Sequence, residues 1–214
     1  MSKVWFIRHG ESVSNANLPT THPADSALTP RGHREAVFVA QAFTKPPDLI
    51  VVSPYIRALE TAVPTQKRFP KVPVQKWNVY EYTYLHPERY NGTTGHDRGP
   101  LAQAYWQRSN PFEKEMGEGE SFAELLKRVK AAKEKLEQQP NEFIAVFSHG
   151  LFLRALLWTL IIGRSEPTAE MMNRYKNFAW GVWLPNGAIW EVNFVGNGRV
   201  HFTGFNISHL PANG

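Results

Sequence analysis

The chain has no cysteine. That excludes a disulfide framework and any thiolate metal site, and it leaves the redox compartment open. Long apolar runs are also missing. The longest, Leu151 to Ile162, is interrupted by Arg154, and it reaches only about half of the ~20 residues that a membrane span needs. It reads as a buried helix. At the N-terminus, Lys3 is followed by four clearly apolar residues before Arg8. A secretory h-region runs to roughly 7–15, so the expectation is a cytoplasmic protein without a membrane partner. Blocks of one charge are absent too. The net charge is +5, but the basic residues are scattered. In the densest group, Lys127, Arg128, Lys130, Lys133 and Lys135 alternate with Glu124, Glu134 and Glu137. Glu124 and Arg128, like Lys133 and Glu137, are spaced to face each other on a helix. This is a solvated helix face, and no nucleic-acid partner is expected. No internal repeat and no linker is visible.

What is present suits one α/β domain over residues 1–214. The length supports a sizeable core, and 42% hydrophobic with 20% charged residues is a globular composition. Short apolar runs at Lys3–Arg8, Leu49–Val52, Val72–Gln75 and Phe143–Phe147 read as strands. They alternate with helical patterns at Pro30–Phe43, Pro54–Arg68, Ser121–Gln138 and Leu151–Ile162. Thr29 is placed to cap the first helix, with Pro30 at its first position. The tail, Phe178–Leu184, then Pro185-Asn186-Gly187, then Ala188–Phe194, reads as a hairpin about an Asn-Gly turn. Residues 78–120 are irregular, with a helix expected only at Leu101–Arg108. A long insert of this kind is functional or disordered. Its aromatics, Tyr80, Tyr82, Tyr84, Tyr90, Tyr105 and Trp106, argue for order, and it is read as a lid or rim.

Alternating strands and helices predict an open α/β fold. Its sheet is open and mostly parallel, covered by helices on both faces. In such sheets ligands sit beyond the carboxyl ends of the strands. Three segments fall there. Arg8-His9-Gly10-Glu11-Ser12, with Asn15, follows the first strand. Ser53-Pro54-Tyr55-Ile56-Arg57-Ala58-Leu59-Glu60-Thr61-Ala62 follows the second, and Ser148-His149-Gly150 ends the fourth. Arginine is a permanently cationic fork suited to phosphate. Histidine is a nucleophile or acid–base at neutral pH.

With Leu28-Thr29-Pro30-Arg31-Gly32 and Glu81 added, the chain resembles the histidine phosphatase superfamily, the phosphoglycerate mutase-like proteins. Arg8 to Asn15 matches the family's Arg-His-Gly motif, with Ser12 in its Thr/Ser position. Ser53 to Ala62 matches its second motif, and His149-Gly150 its third. The resemblance implies a three-layer α/β/α arrangement, a phosphohistidine on His9, phosphoryl oxygens held by Arg8 and Arg57, an amide N–H from Asn15, and a place for His149 in the phosphate pocket. It also implies a glutamate 20–30 positions past the second-motif arginine. Glu81, 24 residues past Arg57 and next to a strand end, is preferred; Glu88, in Pro87-Glu88-Arg89-Tyr90, is the alternative. Thr94 and Arg98 in the rim are candidate contacts to the rest of the substrate, and His86 and His96 are weaker ones.

The leading expectation is a metal-independent phosphomonoesterase acting on a phosphorylated small molecule, which a mild positive field would draw in. One alternative is a phosphoglycerate mutase-type phosphotransferase. The other is a catalytically silent module that binds a phospholigand. Mutases carry Glu-Arg-His-Tyr-Gly where this chain has Glu81-Tyr82-Thr83-Tyr84. No cofactor or metal is implied. His9 and His149 lack a paired carboxylate at ligand spacing, and the two arginines supply the charge a metal ion would. The oligomeric state stays open.

Overall fold

The computed structural model describes residues 2–196 and 198–211. Its strands are β1 (Ser2–Arg8), β2 (Leu49–Val52), β3 (Val74–Lys76), β4 (Phe143–Ser148), β5 (Ile189–Gly196) and β6 (Arg199–Asn206). Its helices are α1 (Pro30–Ala42), α2 (Ile56–Arg68), α3 (Gly95–Arg108), α4 (Phe122–Glu137), α5 (Gly150–Ile162) and α6 (Ala169–Gly181). The strands form one sheet in the order β3-β2-β4-β1-β5-β6. The first four are mutually parallel; β5 runs antiparallel to β1, and β6 antiparallel to β5. Among the described residues no helix is long and apolar enough to cross a membrane.

The central strands are uniformly apolar because both of their faces are covered. Every residue of β2 and β4 is buried. Along β1 the side chains alternate. Val4 and Phe6 join one core with α4, α5 and α6, and Ile7 joins the other with α1 and α2. Local capping marks the helix starts. Thr29 Oγ1 accepts the Gly32 N–H at 3.1 Å, and Ser121 with Glu124 forms a capping box on α4.

Five expectations shift. The third strand is Val74–Lys76 rather than Val72–Gln75. The second helix starts at Ile56, because Tyr55 before it keeps extended backbone angles (φ -74, ψ 137). Phe178–Leu184 is not a strand: its first half is the last turn of α6, whose buried face is Met171, Met172, Tyr175 and Ala179. A helical period with a Thr168 cap won over the apolar content that suggested β. The hairpin exists, but it is β5–β6, with Gly196 (φ +88) and Gly198 (φ +71) in the turn region. Residues 78–120 hold a longer helix than expected, since Thr94 and Asp97 form a capping box that starts α3 at Gly95. The aromatics of this segment do pack. Tyr82, Tyr105 and Trp106 are buried, and the Tyr82 and Tyr105 hydroxyls are 2.6 Å apart.

Candidate active site

The sheet order sets β1 beside β4, with Arg8 opposite Ser148 in register. His9 and His149 therefore leave adjacent strand ends, and their ring centroids are 5.0 Å apart. His9 is buried. Its Nδ1 lies 2.7 Å from the Gly10 carbonyl, which can only accept, so Nδ1 carries the ring proton. The lone pair is left on Nε2, and the Arg57 Nε–H donates to it at 3.1 Å. Burial first, and the Arg57 and Arg8 guanidiniums second, hold the His9 pKa well below the usual imidazole value. The ring is neutral, as a nucleophile requires.

The second motif decodes residue by residue. Ser53 Oγ sits 2.7 Å from His149 Nε2. Arg57 faces His9, and its Nη1 donates to the Pro23 carbonyl at 2.7 Å. Ala58 and Ala62 are fully buried against the sheet. Thr61 Oγ1 accepts the Gly10 N–H at 3.0 Å and donates to the Arg57 carbonyl at 2.6 Å, tying the two motifs together. In the tautomer where Ser53 donates to Nε2, the His149 ring proton sits on Nδ1. That atom is buried without a protein partner. Burial and Arg57 push the His149 pKa well below its usual value as well.

Glu81 lies at the N-terminus of α5. Its Oε1 accepts the backbone N–H groups of Leu151 (2.9 Å), Phe152 (3.3 Å) and Tyr82 (3.0 Å). Free N–H groups at a helix start favour a carboxylate there. No protein donor reaches Oε2 among the described residues, and Glu81 lines the cavity that holds His9. Glu88 has an 82% exposed side chain on a short 3-10 turn and lies outside that cavity.

The cavity has a volume of about 240 Å³. His9, Arg57, Glu81, Asn15 and Arg98 line it. Asn15 Oδ1 accepts from the Ser12 hydroxyl (2.9 Å) and from Asn186 Nδ2 (3.0 Å), which leaves its own NH2 as the donor to offer. Arg98 is buried over the Tyr90 ring at 4.4 Å, and its Nη1 donates to the Thr93 carbonyl at 2.7 Å.

Three expected residues are placed differently. His149 is fully buried and is not among the residues that line the cavity. Thr94 does not line the cavity. Its hydroxyl is consumed by the capping box, donating to Asp97 at 2.7 Å and accepting the Asp97 N–H at 3.2 Å. Arg8 is turned aside. Its Nη1 donates to the Leu184 carbonyl, and its side chain lines a neighbouring cleft. His86 and His96 do not line the cavity either.

Sequence reasoning missed four contributors. His22 lines the cavity, and so do the hydroxyl residues Ser14 and Thr20. Asn186 was read as a turn residue. It donates to the His9 carbonyl at 3.0 Å, and the Gly187 N–H bonds the same carbonyl at 3.2 Å. The 185–188 turn thus braces His9 rather than closing a hairpin. Its Pro-Asn-Gly chemistry announced a turn but not its partner.

The chain is 30% identical over 223 residues to a probable phosphoglycerate mutase of Yersinia enterocolitica, covering 92% of this chain and 94% of the relative. It is also 30% identical to a 2,3-bisphosphoglycerate-dependent phosphoglycerate mutase of Gloeothece citriformis, over 75% of this chain and 84% of that one. A solved phosphoserine phosphatase of Entamoeba histolytica, a histidine-to-alanine variant in complex with phosphoserine, superimposes with a TM-score of 0.73. It is 25% identical, over 99% of this chain and 100% of the other. The model of the histidine phosphatase superfamily (branch 1) matches residues 4–197, and the chain belongs to that family.

Proposed function

We propose that the protein is a metal-independent phosphomonoesterase that hydrolyses a phosphorylated small molecule through a phosphohistidine on His9. One observation carries this reading: His9 Nδ1 is pinned to the Gly10 carbonyl, so the nucleophilic lone pair stands on Nε2 beside the Arg57 guanidinium. In the first step Nε2 attacks phosphorus and the bond to the leaving oxygen breaks. Glu81 gives that oxygen a proton from Oε2. In the second step Glu81 takes a proton from water, the water oxygen bonds phosphorus, and the P–N bond breaks to release inorganic phosphate. Arg57, the His149 Nδ1–H and the Asn15 NH2 donate to the phosphoryl oxygens as charge develops. Arg8 joins them once its head leaves the Leu184 carbonyl. The cavity volume suits a small substrate, and Arg98 is placed to meet its remainder. The setting is cytoplasmic, with no metal, nucleic acid or membrane in the reaction.

Relatives named as mutases favour a second reading, phosphoryl transfer between hydroxyls of a small acid. The solvent position of Glu88 and the missing Glu-Arg-His-Tyr-Gly segment favour hydrolysis. Brief incubation with a labelled phosphomonoester should give an acid-labile, base-stable phosphoenzyme. His9→Ala should abolish label and turnover. Label that persists in that variant sinks the assignment. Chelators should leave the rate unchanged. Isotope appearing in a second hydroxyl rather than in inorganic phosphate would establish the transferase.

A further inference from the structure

Across the 183–187 turn from the His9 cavity lies a larger cleft, about 850 Å³ in volume. Its walls are α1, that turn and residues 207–211. It is larger than a phosphate group needs and falls within the roughly 300–1,000 Å³ of small-molecule sites.

Four arginines line it, and they are not equivalent. Arg31 is neutralised, with Glu35 at 3.0 Å and Glu11 at 3.8 Å. Those are the two carboxylates of the wall. Glu35 also accepts the Glu11 N–H at 2.7 Å, and Glu11 accepts the Thr29 hydroxyl at 2.7 Å. Arg8, Arg34 and Arg154 have no carboxylate within ion-pair distance among the described residues. Arg8 and Arg154 each donate to one backbone carbonyl, that of Leu184 and that of Val182.

Both heads crowd Gly150. A Cβ there would lie 2.9 Å from Arg154 Nη1 and 3.4 Å from Arg8 Nε. Arg8 Nε is buried with no hydrogen-bond partner. Two like charges side by side, one with an orphaned donor, repel each other until an anion joins them. Beside them stand an apolar wall, Phe38 and Leu210, and the 70% exposed indole of Trp183. An exposed indole among guanidiniums suits a flat ring attached to negative charge.

We propose that this cleft is a second binding site, for a ligand of nucleoside polyphosphate type, with the phosphates on Arg8, Arg34 and Arg154 and the ring on Trp183. The cleft shares Arg8 with the proposed reaction at His9, whereas Arg34, Arg154 and Trp183 belong to the cleft alone, so the test reads binding rather than turnover. The test is calorimetric titration with the non-hydrolysable nucleotide adenylyl imidodiphosphate, with tripolyphosphate and adenosine as controls. Wild type should bind one nucleotide per chain. Tripolyphosphate should bind more weakly and adenosine least. Arg34→Ala, at an exposed position outside the reaction machinery, should weaken nucleotide binding about tenfold or more, the loss of a charge-assisted bond. Trp183→Ala should weaken the nucleotide and leave tripolyphosphate unchanged. Arg98→Ala, in the other cavity, should change neither. Unchanged affinity in both Arg34→Ala and Trp183→Ala, or a loss confined to Arg98→Ala, would place the nucleotide elsewhere and overturn the proposal.

Discussion

Glu81 and Glu88 belong to one segment but to different environments. Three backbone N–H groups hold one Glu81 oxygen and leave the other facing the cavity, whereas Glu88 is in solvent. A general acid matters most when the leaving group is poor. Glu81→Gln should therefore slow an alkyl phosphate by roughly 10²–10⁴ and an aryl phosphate far less. Glu88→Gln should be nearly silent. Steady-state kinetics on a sugar phosphate and on para-nitrophenyl phosphate check this, and the reverse pattern would move the proton donor to Glu88. Arg57 donates to the very nitrogen proposed to attack, so Arg57→Ala should cost about 10²–10³ in kcat, as losing one oxyanion donor does. Arg57→Lys should stay poor, because an ammonium cannot bond His9 and the Pro23 carbonyl in one plane.

Among the elements, the start of α1 sets the His9 loop. The Thr29 N–H bonds the Glu11 carbonyl at 2.9 Å, and Glu35 farther along the helix takes the Glu11 N–H. Gly32 allows this approach: a Cβ there would meet Glu11 O at 2.0 Å. Gly32→Ala should cost about 1–3 kcal/mol in stability, the range for forced overpacking. It should also lower kcat, because the strain falls two residues from His9. Thermal unfolding and kinetics measured together check both effects. Normal kcat in a destabilised Gly32→Ala would separate α1 from the site. Thr94 is the contrast. It caps α3, so Thr94→Ala should lose ~1 kcal/mol and leave kcat/KM nearly intact. A large rise in KM would restore it as a substrate contact.

Across the whole molecule, two buried neutral histidines couple stability to pH. His9 and His149 sit well below their usual pKa of 6.5 in the folded state, by burial and then by Arg57. The unfolded chain takes up these protons near 6.5 and the folded chain does not. Their contribution is thus present above pH 6.5 and is lost as pH falls below it, by about 1.4 kcal/mol per pH unit for each histidine. Unfolding midpoints between pH 7.5 and 5 should drop accordingly. A dianion in the cavity reverses part of this by favouring a charged His149. Inorganic phosphate or vanadate should bind with proton uptake, read as a dependence of the binding heat on buffer ionisation enthalpy. No uptake would argue that His149 stays neutral in the complex.

Much of this was legible along the chain because it rests on local rules. Buried strands read as apolar runs, Thr29 as a cap, and Arg8-His9, Arg57 and His149 as groups at strand ends. The Thr94 capping box was legible too, as a Thr followed three residues later by Asp, but the polar rim around it suggested a ligand contact instead. What stayed hidden depends on segments far apart in the chain. Asn186 reaches the His9 carbonyl across 177 positions, because the sheet places β5 against β1. Arg8 turns to the Leu184 carbonyl and stands beside Arg154 for the same reason. Local propensity chooses the helices, strands and turns and the chemistry at their ends. Which turn braces which histidine, and which arginines share a wall, follows from strand order, and strand order is settled by burying both faces of one sheet.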